Sequence, residues 1–311
     1  MNRPKILITA ATGATGGEAI SALLEDGQEV RALVHRDDER ADALRRRGAE
    51  VVIGDLNDYA SIKAALRGMG RAYFCYPIAP GLIRATAQFA QAAKEAGLDA
   101  IVNMSQIVAR EEAVSHASFD HWLAERVLDG AGVPVTHLRP TFFAEWLLYV
   151  APMVRQGKVF MAYGPGKTAL IAAEDQGRVI ARVLQDPRPH AGRTYPLRGP
   201  VEQTWPEIAA TVGRVLGKPV EYQRVPFEAM RDAMLGDRAD RPARNDASTG
   251  YAESNRPGES GESHISQHLR EATLDHHAGL FGGTDDIVER LTGRKPLSVE
   301  EFVTKHRTAF E

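Results

Sequence analysis

Residues 6–17 read Ile6-Leu7-Ile8-Thr9-Ala10-Ala11-Thr12-Gly13-Ala14-Thr15-Gly16-Gly17. The first three form a short, continuous apolar run, the pattern of a strand buried on both faces. The helix that follows carries Ile20, Leu23 and Leu24 on one side. A glycine-rich turn between such a strand and helix lets backbone N–H groups approach a pyrophosphate, and the helix N-terminus adds partial positive charge. Two registers of the glycine pattern fit. One starts at Gly13, continues at Gly16 and meets Ala19 where a third glycine is wanted. The other runs Ala10, Gly13, Gly16. It is preferred because it follows the strand directly and leaves Ile20, Leu23 and Leu24 on the buried side. It requires that Ala10 avoid positive φ, which alanine adopts only at a cost. Ala10, Thr12, Gly13, Ala14, Thr15 and Gly16 are thus the candidate dinucleotide-binding residues; the plainer reading is an ordinary strand–helix turn.

Working outward, short apolar runs alternate with helical periodicity. Strands are expected at Val30–Val34, 51–53, 72–76, Ala100–Met104 and 135–138, and helices at 38–47, Leu82–Ala96 and 121–128, with another capped by Asp58. This alternation specifies an α/β fold, a Rossmann-type doubly wound parallel sheet with ligands along the strand C-termini. Residues 1–150 form the NAD(P)-binding domain. Residues 151–311 form mainly a smaller C-terminal substrate-covering α/β part, with Thr194–Leu197 a strand that can return to the main sheet. Trp205–Leu216 is helical behind a Thr204/Glu207 capping box, and Ser298/Glu301 is a second such box. Residues 237–263 read as a flexible polar loop.

Composition sets the outer bounds. In 311 residues, 43% hydrophobic and 25% charged, the formal charge is only −3, which gives no general attraction to nucleic acid or acidic membranes. No stretch approaches the ~20 apolar residues needed to cross a bilayer. One cysteine, Cys75, fits a reducing compartment, and a cytoplasmic location is expected. His264, His268, His276 and His277 show no ordered ligand spacing and read as helix-surface histidines, so no metal is expected. His137 reads as a satisfied interior histidine and Arg139 as a brace at the sheet edge.

The end of the second strand bears on the choice of dinucleotide. An NAD site places an acid there for the ribose hydroxyls, whereas this chain continues Val34-His35-Arg36-Asp37-Asp38. Arg36 is suited to fork onto a 2′-phosphate and stack on adenine, so NADPH is expected ahead of NADH. Asp37 or Asp38 folding back to the ribose is the competing arrangement. Asp55, after the third strand, either anchors the adenine-side loop or caps local amides.

The chain resembles the NmrA-like group of atypical short-chain dehydrogenases/reductases, which includes quinone reductases, triphenylmethane dye reductases and redox-sensing regulators. The resemblance is carried by the phosphate turn, Arg31-Ala-Leu-Val-His-Arg36, Gly54-Asp55-Leu56, Val102-Asn-Met-Ser105, Glu125 and Leu138-Arg-Pro-Thr-Phe-Phe143. Asp175-Gln-Gly-Arg-Val and Leu291-Thr-Gly-Arg-Lys-Pro296 extend it. The broader superfamily uses a Tyr, with a Lys four residues on, ahead of Glu125; those places hold Ala117 and His121. Ala117 cannot move a proton, which leaves Ser105, Tyr76 and His121 as candidate catalytic groups. The resemblance implies a nicotinamide lying over Pro77 and Ser105, with His121 in contact. Phe142, Phe143 and Trp146 would wall the acceptor, although Trp146 and its neighbours fit core or a homodimer surface equally. The function expected is hydride transfer from NADPH to a conjugated or aromatic, quinone-like acceptor. A non-catalytic NADP(H) sensor with a regulatory protein partner, and a redox-neutral isomerase or cyclase, are the alternatives.

Overall fold

The computed structural model describes residues 5–235 and 263–311. The loop expected at 237–263 lies outside the described residues, apart from Ser263. The chain begins β1 (Ile6–Ile8), α1 (Ala14–Glu25), β2 (Val30–Val34), α2 (Glu39–Arg46), β3 (Glu50–Ile53), α3 (Tyr59–Leu66), β4 (Arg71–Phe74), α4 (Leu82–Ala96), β5 (Ala100–Met104), α5 (His116–Asp129) and β6 (Val135–Pro140). Then come α6 (Trp146–Tyr149), α7 (Ala151–Arg155), β7 (Lys158–Met161), β8 (Lys167–Thr168), α8 (Ala173–Gln185), β9 (Thr194–Leu197), β10 (Gln203–Thr204), α9 (Trp205–Leu216), β11 (Glu221–Arg224) and α10 (Phe227–Leu235). The described chain closes with α11 (His264–His277), α12 (Ile287–Thr292), α13 (Val299–Lys305) and α14 (Arg307–Phe310).

Seven strands form one sheet in the order β3-β2-β1-β4-β5-β6-β9, every pair parallel. Side chains alternate along a strand. Leu7 therefore enters the core with Ile62, Leu66, Phe74 and Phe89, while Ile6 and Ile8 enter the opposite one with Ile20, Leu23 and Val179. A strand between two helical layers has no polar face to show, which is why this run is unbroken. The sheet order reverses direction on either side of β1, so a crevice opens above the C-termini of β1 and β4, where dinucleotides bind in such sheets.

Thr194–Leu197 does return to the main sheet, as β9 beside β6. Helix α8 also returns, packing across α1. The contact is close because residue 177 is glycine: a Cβ there would stand 2.5 Å from Glu18 Cβ and 2.8 Å from the Ala19 nitrogen. The buried Asp175 two residues earlier accepts from Leu297 N at 2.9 Å and so ties the C-terminal segment to α8. Both expected capping boxes form, at Thr204/Glu207 and Ser298/Glu301, and Asp38 and Asp58 cap α2 and α3.

A third core, holding Phe142, Tyr163, Trp205, Phe302 and Phe310, sits beside the sheet and is edged by the pairs β7/β11 and β8/β10. Strands β7, β8 and β10 escaped the sequence reading because two to four residues give no resolvable period. Among the described residues no helix is long and apolar enough to cross a membrane.

The α1/α8 contact yields a prediction. Gly177→Val should destabilise the fold by about 1–3 kcal/mol through overpacking, read as a lowered Tm. An unchanged Tm would mean that α1 and α8 yield freely at this point.

Candidate active site

The turn after β1 closes on the carbonyl of Ala10, which accepts from Gly13 N at 2.8 Å. A Cβ at Gly13 would lie 3.1 Å from that oxygen, a tight fit, and one at Gly16 only 2.4 Å from it, so Gly16 is demanded by close approach. Ala10 itself has φ +47°, the one positive φ outside glycine among the described residues. The expectation that Ala10 avoids positive φ is therefore corrected. The turn needs a left-handed residue there and alanine accepts the strain, of about 1–2 kcal/mol. Gly13 is the N-cap of α1, which has no side-chain cap and no acid in its first turn. Gly13 and Ala14 are exposed and Thr12 half-buried, while Thr15 turns inward, its hydroxyl 2.9 Å from the fully buried Tyr73 Oη. On the strand side, Cys75 N donates to Thr9 Oγ1 at 2.9 Å. These two contacts hold the turn to β4, and neither Thr9 nor Tyr73 is marked by the glycine pattern.

At the end of β2 the two competing acids are already engaged. Asp37 pairs with Arg45 at 2.7 Å, and Asp38 caps α2 while bonding Arg40. Arg36 is exposed and makes no hydrogen bond or ion pair with the described residues. Asp55 accepts from Asn57 N at 2.8 Å, shaping the loop after β3 as a cap. Tyr76 belongs to the same loop. Its buried hydroxyl donates to Pro80 O at 3.1 Å and receives Asn57 Nδ2 at 3.3 Å, and burial raises its pKa. Pro77 is exposed beside it.

The other two candidate groups meet around α5. Ala117, His121 and Glu125 follow at intervals of four along one face of the helix and are all buried. Glu125 is gripped by Arg139, Nε to Oε1 at 2.8 Å and Nη2 to Oε2 at 2.6 Å, so Arg139 braces β6 to α5. Burial works to raise the Glu125 pKa, but the Arg139 and Ser105 contacts and the Arg139 charge outweigh it and hold the carboxyl below its ordinary value. The buried Ser105 hydroxyl lies beside this carboxylate without completing a hydrogen bond of good geometry. His121 is driven down to about 4, mainly by burial and against the pull of Glu125, so its imidazole is neutral at neutral pH. His137 is satisfied in the interior between Asn103 and Asp129, each at 3.0 Å.

Helix α11 covers the start of α5, and two of its histidines correct the surface reading. His268 and His276 are buried, whereas His277 is exposed. Their polarity suggested solvent, but partners 150 residues away, invisible to local periodicity, absorb part of it: Ser115 Oγ lies 2.8 Å from His268 Nδ1. His276 packs instead among Phe142, Tyr163 and Phe281.

Phe142 stacks on Phe281 with ring centroids 4.0 Å apart and meets Trp146 and Tyr163 edge-on. Phe143, the next residue, packs against the core under α1 and α8. Adjacent residues in extended chain face opposite ways, so Phe142 and Trp146 share one wall and Phe143 another. The site thus brings Ser105, His121 and Glu125 together and keeps the Tyr76 hydroxyl with the Asp55 loop.

The NmrA-like family profile matches residues 2–270. An NAD(P)H azoreductase from Xenophilus azovorans is 30% identical over 308 residues, covering 98% of this chain and 99% of its own. A (4-alkanoyl-5-oxo-2,5-dihydrofuran-3-yl)methyl phosphate reductase from Streptomyces griseus is 32% identical over 234 residues, 74% of this chain and 80% of its own. Among solved structures, an NADPH-dependent quinone oxidoreductase from Escherichia coli complexed with NADPH superposes with a TM-score of 0.79. It is 23% identical and covers 97% of this chain and 99% of its own.

The buried imidazoles predict acid sensitivity. His121 and His276, each at about 4, and His268, at about 3, lie below the ordinary 6.5. The unfolded chain then binds more protons, so their stabilisation is full above pH 6.5 and is lost as pH falls through the folded values. Tm should hold steady above about pH 7 and decline from 6.5 towards 4, less steeply in His276→Phe. A Tm independent of pH across that window would contradict the burial of these rings.

Proposed function

The chain belongs to the NmrA-like family, and from that premise we propose that it is an NADPH-dependent reductase of conjugated or aromatic acceptors. The observation that carries the cofactor assignment is the uncapped N-terminus of α1 behind a turn where added Cβ atoms would collide. Such a terminus is built for a pyrophosphate. Backbone N–H groups from Gly13 to Gly16 would hold the diphosphate. Arg36 would take the 2′-phosphate, because Asp37 and Asp38 are engaged elsewhere and Arg36 is not. The Asp55–Asn57 loop, fixed by Tyr76, would flank the adenine side. Bound in this cradle, NADPH would supply a hydride, and Ser105, just past β5, and His121 of α5 are the groups of the chain that would face it.

The rest of the chemistry belongs to the chain's own residues. The Glu125–Arg139 pair is fixed and charged, so it orients α5 against β6 rather than exchanging protons. Ala117 brings no acid, and the neutral His121 has little proton to give at pH 7. An acceptor that spreads negative charge over a π-system needs less of both. Azo, unsaturated lactone and quinone reduction, named for the relatives above, all share that property. Phe142 and Trp146 offer aromatic surface on which such a molecule would lie.

Ala117 also favours a second reading, a non-catalytic NADP(H) sensor. Purified protein, NADPH and a panel of quinones, azo compounds and cationic dyes separate the two through absorbance of the nicotinamide. Acceptor-dependent loss of NADPH is expected; tight binding without consumption would favour the sensor. Product formation without net oxidation would indicate a redox-neutral enzyme. In the same preparation, Arg36→Ala should weaken NADPH by about ten- to a hundredfold, the worth of a charge-assisted contact, and leave NADH nearly unchanged. Equal weakening of both would remove Arg36 from the 2′-phosphate.

A further inference from the structure

We propose that His268 is a fixed N–H donor to the reducible acceptor, taking the role that Ala117 cannot fill; this rests on the reductase reading above. Ser115 is nearly fully buried and caps α5 by accepting from Ser118 N at 3.2 Å. Its hydroxyl hydrogen has one acceptor among the described residues, His268 Nδ1 at 2.8 Å. Buried hydroxyls are seldom left unpaired. The hydrogen therefore points to Nδ1, and the neutral ring must carry its own proton on Nε2.

Position supports the assignment. Ser115 caps the first turn of α5, so the ring is anchored at the helix end that carries Ala117, near enough to His121 to feel its charge. The groups that act on His268 electrostatically are His121 of α5 and His264 of α11. His121 in turn adjoins Glu125, and the His116 ring lies tilted beside His264, centroids 6.2 Å apart. Helix α11 is clamped in place. Asp275 receives Arg110 twice, at 2.6 and 3.1 Å, and Gln267 bridges His116 N and Val114 O at 3.1 and 3.0 Å. With burial holding it at about 3, His268 stays neutral throughout the working range, so its Nε2–H is always present.

The step balances without proton transfer from the protein. When the acceptor gains a hydride from bound NADPH, leaving NADP+, its conjugated oxygen or nitrogen becomes anionic. His268 Nε2–H donates a hydrogen bond to that atom, no bond of the imidazole breaks, and water supplies the proton that completes the reduction. A neutral ring can stabilise charge in this way without titrating.

Three readouts on the full chain test the role. Nitrogen NMR of the cofactor-free protein should show the Nε2–H tautomer for His268 and a mixture in Ser115→Ala. His268→Phe, which keeps a ring and loses the donor, should lower kcat on the order of a hundredfold with NADPH affinity unchanged; His268→Gln should recover part of it. The wild-type kcat should be flat between about pH 5 and 9 as far as His268 is concerned. An Nδ1–H tautomer in the wild type, wild-type kcat in His268→Phe, or an acid-dependent limb that His268→Phe abolishes would each overturn the fixed donor. If none of the acceptors makes the wild type consume NADPH, the reductase reading falls and the donor role falls with it. Activity in both proteins removes the donor role alone.

Discussion

The carbonyl of Ala10 is the point on which the turn between β1 and α1, the proposed cofactor site, depends. It lies just past β1, accepts the hydrogen bond that closes the turn, and faces Gly13 and Gly16 so closely that no side chain fits at position 16. Helix α1 can then start directly over the crevice with its first N–H groups uncapped. Gly177 extends the same constraint to the far side, where α8 presses on Glu18 and Ala19. The cradle is therefore held between the strand in front and a second helix behind. Such backing gives an anion site fixed geometry before any ligand arrives.

A second theme is neutrality at the chemical end of the site. Glu125 keeps its charge because Arg139 grips both oxygens, while His121 and His268 are kept neutral by burial. The region thus offers oriented hydrogen-bond donors and little titratable acid near pH 7. Fixed donors suit an acceptor whose charge is delocalised, since charge stabilisation then matters more than prompt protonation.

The outline of the sheet was legible in the sequence because a strand between two helical layers is apolar throughout, and helices keep a stripe. The strand–turn–helix order around Gly13 and Gly16 was legible for the same reason. The φ of Ala10 was not, because the short turn dictates a left-handed residue whatever its identity. The partners of Asp37 and Asp38, which are Arg45 and the α2 amides, were not legible, because Asp37 and Arg45 meet only once α2 has folded back beside the end of β2. The histidines of α11 were misread most clearly. Their polarity suggested solvent, but Ser115 accommodates His268, and aromatic rings from three separate segments enclose His276. No local pattern announces contacts at such separations, and Tyr163 and Phe281 were missed beside Phe142 for that reason.

The most direct test of the account is the structure of the NADP+ complex. The pyrophosphate should lie within hydrogen-bond distance of backbone N–H groups in the Gly13–Gly16 turn, with the 2′-phosphate at Arg36 and Ala10 still at positive φ. A dinucleotide seated elsewhere, or a 2′-phosphate away from Arg36, would contradict the cradle on which the assignment of function depends.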